Sequence, residues 1–541
     1  MAETFDYIVV GAGSSGSALA SRLSEDGQST VLLLEAGRDD NARWVRVPLG
    51  VGKILTDPEF VWPFQTERET GLNGQSMFWP RGRMLGGSSS LNGMLYARGA
   101  AHRYDEWRDG NQPGWGFAEL LPYFKRLEDR PGGDESWRGR GGPLTVSDAA
   151  ERDPLSQAFL DACTASGTFF NEDYNAAQFE GASWLQYSIR NGTRWSTARA
   201  YLAPASDRPN LTTRIHTTAL AVLFDGTRAS GVRLRGPDGD YDVHARCEVL
   251  LSAGPIVSPK LLELSGIGDG ERLAALGIAT RVHLPGVGEN LQDHLQARMT
   301  YESAIPCTVN DIINSRWRGA LAAVRYAMFR DGLLAKSPAT VQAIMRSDPG
   351  LDHPDLKIQI LLVSGKDRYA RTKALGLDPF SGFNIGVFQL YPHSVGHTHI
   401  ASPDPDKAPT IHANYLADQR DVEAMLAGLR LIRRVASQPR LARHIIREVR
   451  PGPEVESDDA LLDFARDTAQ TCWHPISTCR MGRGADDVVD FELRVRGVEG
   501  LRVIDSSIMP NMPTSNTNAP SIVIGEKGAD LVLRDRDGGV C

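Results

Sequence analysis

Residues 471–480 read TCWHPISTCR, with two thiols, Cys472 and Cys479, bracketing the imidazole of His474. A structural zinc would need four ligands, usually with paired C-x₂₋₄-C spacing. This stretch supplies at most three and lacks the pairing. A redox dithiol would want C-x-x-C, which is also absent. The third chemistry is proton transfer: an imidazole has a pKa near working pH and accepts a proton readily. The two thiols then serve as small packing residues. On these residues alone, a histidine satisfied in the core remains the plain alternative. His397 and His399 alternate along a strand pattern, and a solvated strand face explains them more simply than a metal site. His294, in NLQDH, is assigned no chemistry, and no metal is expected.

A base needs something to work beside. Gly11–Gly16 reads GAGSSG and follows the apolar run FDYIVV. Gly11 permits the tight turn, Gly13 lets a pyrophosphate approach the N–H groups of a helix start, and Gly16 lets helix and strand pack closely. Glu35 ends the next strand, where a carboxylate accepts from a ribose diol. The pattern specifies an adenine dinucleotide without choosing between FAD and NAD. Residues 80–99, PRGRMLGGSSSLNGMLYARG, offer consecutive N–H groups in turns, a nest for anionic or carbonyl oxygens. LLSAGPIVSPKLLELSGIG, 250–268, reads as a buried strand, a glycine turn and a helix entry. It is a second backbone wall or an ordinary connection. Near the C-terminus, LRVID is a strand ending at Asp505. APSIVIGEKGADLVL is a helix with Pro520 near N1 and Asn518 or Ala519 as cap.

At 541 residues the chain exceeds one typical core, so two domains are expected. A net charge of −8 disfavours nucleic acid or an anionic membrane as the main partner. Six cysteines at irregular spacing make no disulfide framework. The N-terminus reads as a strand and not as a signal peptide. No window reaches the roughly 20 apolar residues of a membrane span. These features predict a cytoplasmic protein, from whose surface a quinone pool could be reached. The first helix is expected to stop at Gly27, and strands are expected at 211–223, 229–234 and 249–251. From about 299 to 400, helical patterns such as RWRGALAAVRYAMFRDG alternate with strand runs such as LKIQILLV and FNIGVFQLYP. The expected fold class is α/β (α+β overall): a Rossmann-like nucleotide domain with an inserted substrate domain built on an antiparallel sheet. Its expected segments are 1–155, 211–298 and 466–541 for the nucleotide domain, with substrate segments at 156–210 and 299–465.

The ordered blocks GAGSSG…LEAG, PRGRMLGGSSSLNGM, SAGPIVSPKLLELSGIG, PGVGENLQDH, HPISTCRMG and RVIDSSIMPNMPTSNTNAPSIVIGEKGAD resemble the glucose–methanol–choline (GMC) oxidoreductases over nearly the whole chain. The similarity is to choline-dehydrogenase-like, sorbose-dehydrogenase-like and pyridoxine-oxidase-like bacterial members. The resemblance implies FAD and oxidation of a primary or secondary alcohol, with oxygen or a quinone-type carrier as electron acceptor. It implies His474 as proton acceptor and Asn516 as its catalytic partner. It assigns Gly11, Gly13, Ser14, Ser15, Gly16, Glu35 and Ala36 to the ADP portion, with Ala219 at adenine. Leu85, Gly87, Ser88 and Asn92, Gly93, Met94, Leu95 fall along the pyrophosphate and flavin. Ala253, Gly254, Trp473, Asp505, Ser506 and Thr517 complete the cofactor set. Asp505 either binds the ribityl chain or caps a turn. The last helix would direct its positive end at the flavin. Some members link FAD through a histidine at the position of Leu91; leucine forms no such bond, so dissociable FAD is expected. Two rival readings are an FAD-containing hydroxynitrile-lyase type using the same histidine, and an NAD-dependent dehydrogenase. Choline as substrate would want an aromatic or acidic site, for which Trp62, Trp317 and Glu302 are available.

Overall fold

The computed structural model describes residues 3–109, 113–149, 152–366 and 376–539. FDYIVV lies in strand β1 (Thr4–Val10) and VLLL forms β2 (Val31–Leu34), with helix α1 (Ser14–Leu23) between them. All four residues of β2 are buried, as expected of a strand covered on both faces. Further along lie β3 (Gly181–Trp184), β4 (Leu211–Arg214), β5 (Thr218–Asp225), β6 (Arg228–Gly236) and β7 (Gly239–Leu251). Next come β8 (Leu295–Ser303), α2 (Arg316–Phe329), β9 (Ala339–Met345), β10 (Leu356–Leu361) and β11 (Gly382–Gln389). The last third holds α3 (Gln419–Ala436), β12 (Ile445–Arg450), β13 (Gln470–Thr471), β14 (Leu501–Val503) and α4 (Asn518–Asp537).

Two seven-stranded sheets organise these elements. The first runs β4-β2-β1-β7-β6-β5, with β14 also paired to β7. Its β4, β2, β1, β7 and β14 pairings are parallel, so the carboxyl ends at Val10, Leu34, Leu251 and Val503 lie side by side. In open α/β sheets ligands bind beyond such ends. The second sheet runs β12-β8-β11-β10-β9-β3, with β13 on β8, and every pairing in it is antiparallel. One apolar core surrounds the first sheet, α1 and α4; another fills the space between the second sheet and α3.

Three boundaries differ from the sequence expectation. Helix α1 stops at Leu23 with Ser24 as cap, because Asp26 Oδ1 accepts from the Gln28 N–H at 2.9 Å and sets a turn there. Gly27 instead occupies the left-handed region of that turn, at φ +73°. The single strand expected over 211–223 is two, broken at His216, which has φ +51°. Helix α4 begins directly after Thr517, whose side chain makes no cap bond, which puts Pro520 at its third position.

Helices α1 and α4 meet through small residues. Ser15 Oγ donates to Ser521 O at 2.7 Å, and a Cβ on Gly525 would stand 2.3 Å from Ser15 O. Two effects oppose each other in Gly525→Ala: alanine gains about 1 kcal/mol of helix propensity, whereas overpacking costs about 1–3 kcal/mol. The contact is with backbone, so steric cost wins. Gly525→Ala is expected to lower the thermal midpoint of the flavin-loaded protein, followed by circular dichroism. A raised midpoint would show that the helices are not held this closely.

Candidate active site

A cavity of about 460 Å³ lies beyond the carboxyl ends of the parallel strands. Gly11, Gly13, Ser14, Ser15, Glu35, Ala36, Gly87, Ser88, Ala219, Ala253, Gly254, Asp505 and Ser506 all line it. The backbone is bare toward this space: a Cβ on Gly13 would meet nothing closer than Ser252 O at 3.9 Å, and one on Gly254 nothing within 4 Å. The start of α1 has no side-chain cap, which leaves its amides for an anion. Glu35 is held by the N–H groups of Gly37 at 2.8 Å and Ala12 at 3.3 Å, and burial raises its pKa to about 7. Hydroxyl donors from a ribose would favour its anion. These residues fit the ADP portion of FAD.

Asp505 works as a cap. Its Oδ1 accepts from the Ser507 N–H at 2.8 Å, and its Oδ2 from the Gly254 N–H at 2.9 Å and Ser258 Oγ at 2.6 Å. It thereby ties the turn after β7 to the turn after β14. Gly16 is not part of this cavity's lining; a Cβ on it would lie 1.9 Å from Gly11 O, so it sets how closely helix and strand pack. Leu85 is not among the residues lining this cavity and is partly buried. Its N–H bonds Arg38 O, its carbonyl accepts from Ser90 Oγ, and its side chain packs on the core.

A second cavity, of about 200 Å³, shares Ser14, Arg81, Ser88, Ser506 and Ser521 with the first. Asn92, Gly93, Met94, Leu95, Trp473, His474, Asn516 and Thr517 line it, together with Leu91. The uncapped start of α4 reaches it through Thr517 and Asn518. Here two segments distant in sequence meet: His474 Nε2 lies 3.0 Å from Asn516 Nδ2.

A chain of contacts fixes the protons on this pair. The Leu390 carbonyl only accepts, so His294 Nε2, at 3.3 Å, carries a hydrogen. His294 Nδ1 is then an acceptor in the neutral ring. His474 Nδ1, 3.0 Å away, must therefore be the donor. That leaves a lone pair on His474 Nε2, facing the Asn516 Nδ2–H. Lys357 Nζ donates to Asn516 Oδ1 at 3.1 Å, which holds the amide in this orientation. Burial, then the neighbouring His294, Lys357 and Arg81, lower the His474 pKa well below its ordinary value. Burial lowers His294 to about 3. Asp293 accepts from the His474 backbone N–H at 2.7 Å and from Thr471 Oγ1 at 2.6 Å, and Tyr415 Oη also bonds it.

Sequence reasoning missed three of these residues. Asp293 and His294 sit in the NLQDH block, whose adjacent acid and imidazole were the available signal. Lys357 stands alone in the apolar run LKIQILLV and is buried, and that isolation was its signal. Burial lowers its pKa to about 7. His399 corrects the expectation of a solvated strand face. It is buried and bonds Glu263 Oε1 at 2.7 Å and Glu289 Oε1 at 2.9 Å. Cys479 is buried in the main core, and Cys472 packs beside Phe388 at the inner cavity. Among the described residues no group of three or more His, Cys, Asp or Glu side chains is arranged for a metal ion.

Comparison with known proteins agrees with this architecture. The N-terminal GMC oxidoreductase model matches residues 5–296 and the C-terminal one residues 392–525. The chain is 40% identical to an oxygen-dependent choline dehydrogenase of Photobacterium profundum, covering 98% of this chain and 94% of that protein. It is 39% identical to an alcohol dehydrogenase [acceptor] of Pseudomonas putida, over 98% and 96% of the two chains. The solved structure of pyridoxine 4-oxidase from Mesorbium loti superposes with a TM-score of 0.88 at 31% identity, covering 97% of this chain and 98% of that one. The chain belongs to the GMC oxidoreductase family, FAD flavoproteins that oxidise alcohols.

Proposed function

We propose that the chain oxidises an uncharged or anionic primary or secondary alcohol, with His474 as proton acceptor and Asn516 as donor to the alcohol oxygen, and that it holds FAD without a covalent bond. The observation that carries this reading is the His474 Nε2 lone pair facing the Asn516 Nδ2–H at 3.0 Å inside the inner cavity. An alcohol oxygen that replaces this hydrogen bond donates its hydroxyl proton to Nε2 and accepts from Nδ2–H. The amide bond strengthens as negative charge grows on that oxygen, and the amide does not compete as a base. FAD, when bound, supplies the hydride acceptor. The start of α4 favours negative charge in the same space. Buried as it is, His474 stays neutral and able to accept a proton below the ordinary histidine range.

Charge around the site argues for the substrate class. The inner cavity is lined by Arg81 and Arg298 and, among its described residues, by no carboxylate. Lys357 stands behind Asn516. The groups from which an ammonium site would be assembled are dispersed. Trp62 lines the nucleotide cavity, Trp317 is 78% exposed, and Glu302 pairs with Arg447 at 2.8 Å. A quaternary ammonium would meet like charge there with no carboxylate among the described lining residues to offset it, only the rings of Phe388 and Trp473. Leu91, which lines the inner cavity and has no atom to form a bond, supports dissociable FAD.

His474→Ala is expected to retain FAD and to slow anaerobic flavin reduction by an alcohol at least about a hundredfold. An unchanged single-turnover rate would remove His474 as the base. Failure of any alcohol to bleach the wild-type flavin would favour a redox-neutral lyase. Acid precipitation should leave the flavin in the supernatant; yellow colour in the pellet would reveal a covalent link. Choline should show a kcat/KM at least about tenfold below that of its neutral isostere 3,3-dimethylbutan-1-ol. Equal values would mean that the cationic lining does not reach the substrate.

A further inference from the structure

Helix α2 has two dissimilar faces. On its inner side Arg316, Gly319, Ala323, Tyr326, Ala327 and Arg330 line a cavity of about 1060 Å³. That cavity shares Val51, Leu55, Arg298 and Pro338 with the wall around His474, which makes it the vestibule of the candidate active site. On the other side Trp317, Leu321, Val324 and Met328 recur at helical spacing and are 78, 63, 55 and 68% exposed. Successive steps of four, three and four residues put them on one stripe. Phe329 extends the exposed patch, and Ile313, just before the helix, stands at the rim of the cavity. Elsewhere among the described residues, exposed large apolar side chains are scattered singly or in pairs. A concentrated patch of this kind marks an interaction surface.

The charge on the helix selects the partner. From 316 to 330 the sequence is RWRGALAAVRYAMFR, with four arginines and no acid. Arg318 and Arg325 stand beside the stripe and pair with Asp311 and Asp331 beyond the helix ends. Arg316 and Arg330 are exposed at the mouth of the vestibule, whose lining they share, and have no ion pair among the described residues. Across the vestibule Arg43, Trp44 and Lys53 line the same opening, and Trp44 is 40% exposed. A second copy packed on this face by a two-fold axis would bring the arginines of both helices together, which costs several-fold in affinity. Tryptophan over an apolar stripe with flanking arginines suits the headgroup level of a bilayer. No helix among the described residues is long and apolar enough to cross a membrane, so the contact would be peripheral.

We infer that α2 docks on an anionic phospholipid surface, with its apolar stripe at the acyl boundary and its arginines at the phosphates. The vestibule then opens at the membrane. This local face acts despite the chain's net charge of −8, because surface potential decays within a Debye length. The inference does not depend on which alcohol is oxidised.

The test uses the full FAD-loaded chain and vesicle flotation. Wild type should float with vesicles of phosphatidylcholine and phosphatidylglycerol, and far less with phosphatidylcholine alone. Arg316→Gln should weaken binding to the anionic vesicles about fivefold. The combined variant Trp317→Ser, Leu321→Ser, Met328→Ser should weaken it at least about tenfold while anaerobic bleaching by a water-soluble alcohol stays unchanged. Wild type that ignores anionic vesicles, or a triple variant that floats as well as wild type, would overturn the inference. So would a wild-type dimer that the triple variant dissociates while neither protein floats, since a second copy would then cover the face.

Discussion

A proton can sit on only one nitrogen of a neutral imidazole, and in this protein a backbone carbonyl decides which. Leu390 O accepts from His294, His294 accepts from His474, and the lone pair of His474 is left on the nitrogen that faces Asn516. A second proton on either ring would set donor against donor in a buried space. Burial and hydrogen-bond direction therefore act together to keep the base free. Asp293 fixes the backbone of His474, and Lys357 fixes the amide of Asn516. The reactive pair is thus held by the residue that follows β11, the two that precede β8 and the second residue of β10, none of which needs to touch the alcohol.

The space beside this pair exists because backbone is allowed to approach backbone. Gly16 lies against Gly11, and Gly525 against Ser15. Gly87, at φ +50°, would place a Cβ 2.8 Å from the Gly13 Cα. Each approach excludes a side chain and brings an amide-rich segment to the cavity wall. The glycine turn after β1, the GGSS loop and the start of α4 consequently share one channel, from Glu35 at one end to His474 at the other. Two helix starts opening onto it give a positive potential without any bound cation.

The same economy of charge extends outward. The inner cavity has cationic walls, and the vestibule continues them to the surface, where α2 turns an apolar stripe outward. One helix thereby serves as wall for the substrate path and as an exposed face with its own chemistry. That division depends on helical periodicity, which turns Gly319, Ala323 and Tyr326 to the cavity and Trp317, Leu321, Val324 and Met328 outward.

Local demands were readable in the sequence. GAGSSG, the acid at Glu35, the PRGRMLGGSSSLNGM loop and the strand runs LKIQILLV and FNIGVFQLYP each impose a backbone geometry within a few residues, and the structure forms them where expected. His474 and Asn516 could be named from the blocks that contain them. What the sequence left open were relations between segments a hundred or more residues apart. The partner of His474, the isolated Lys357 and the burial of His399 between two glutamates all depend on how the two sheets face each other. Local pattern determines what a segment can become, whereas hydrogen-bond direction and burial are properties of pairs, and only the packed chain determines those pairs.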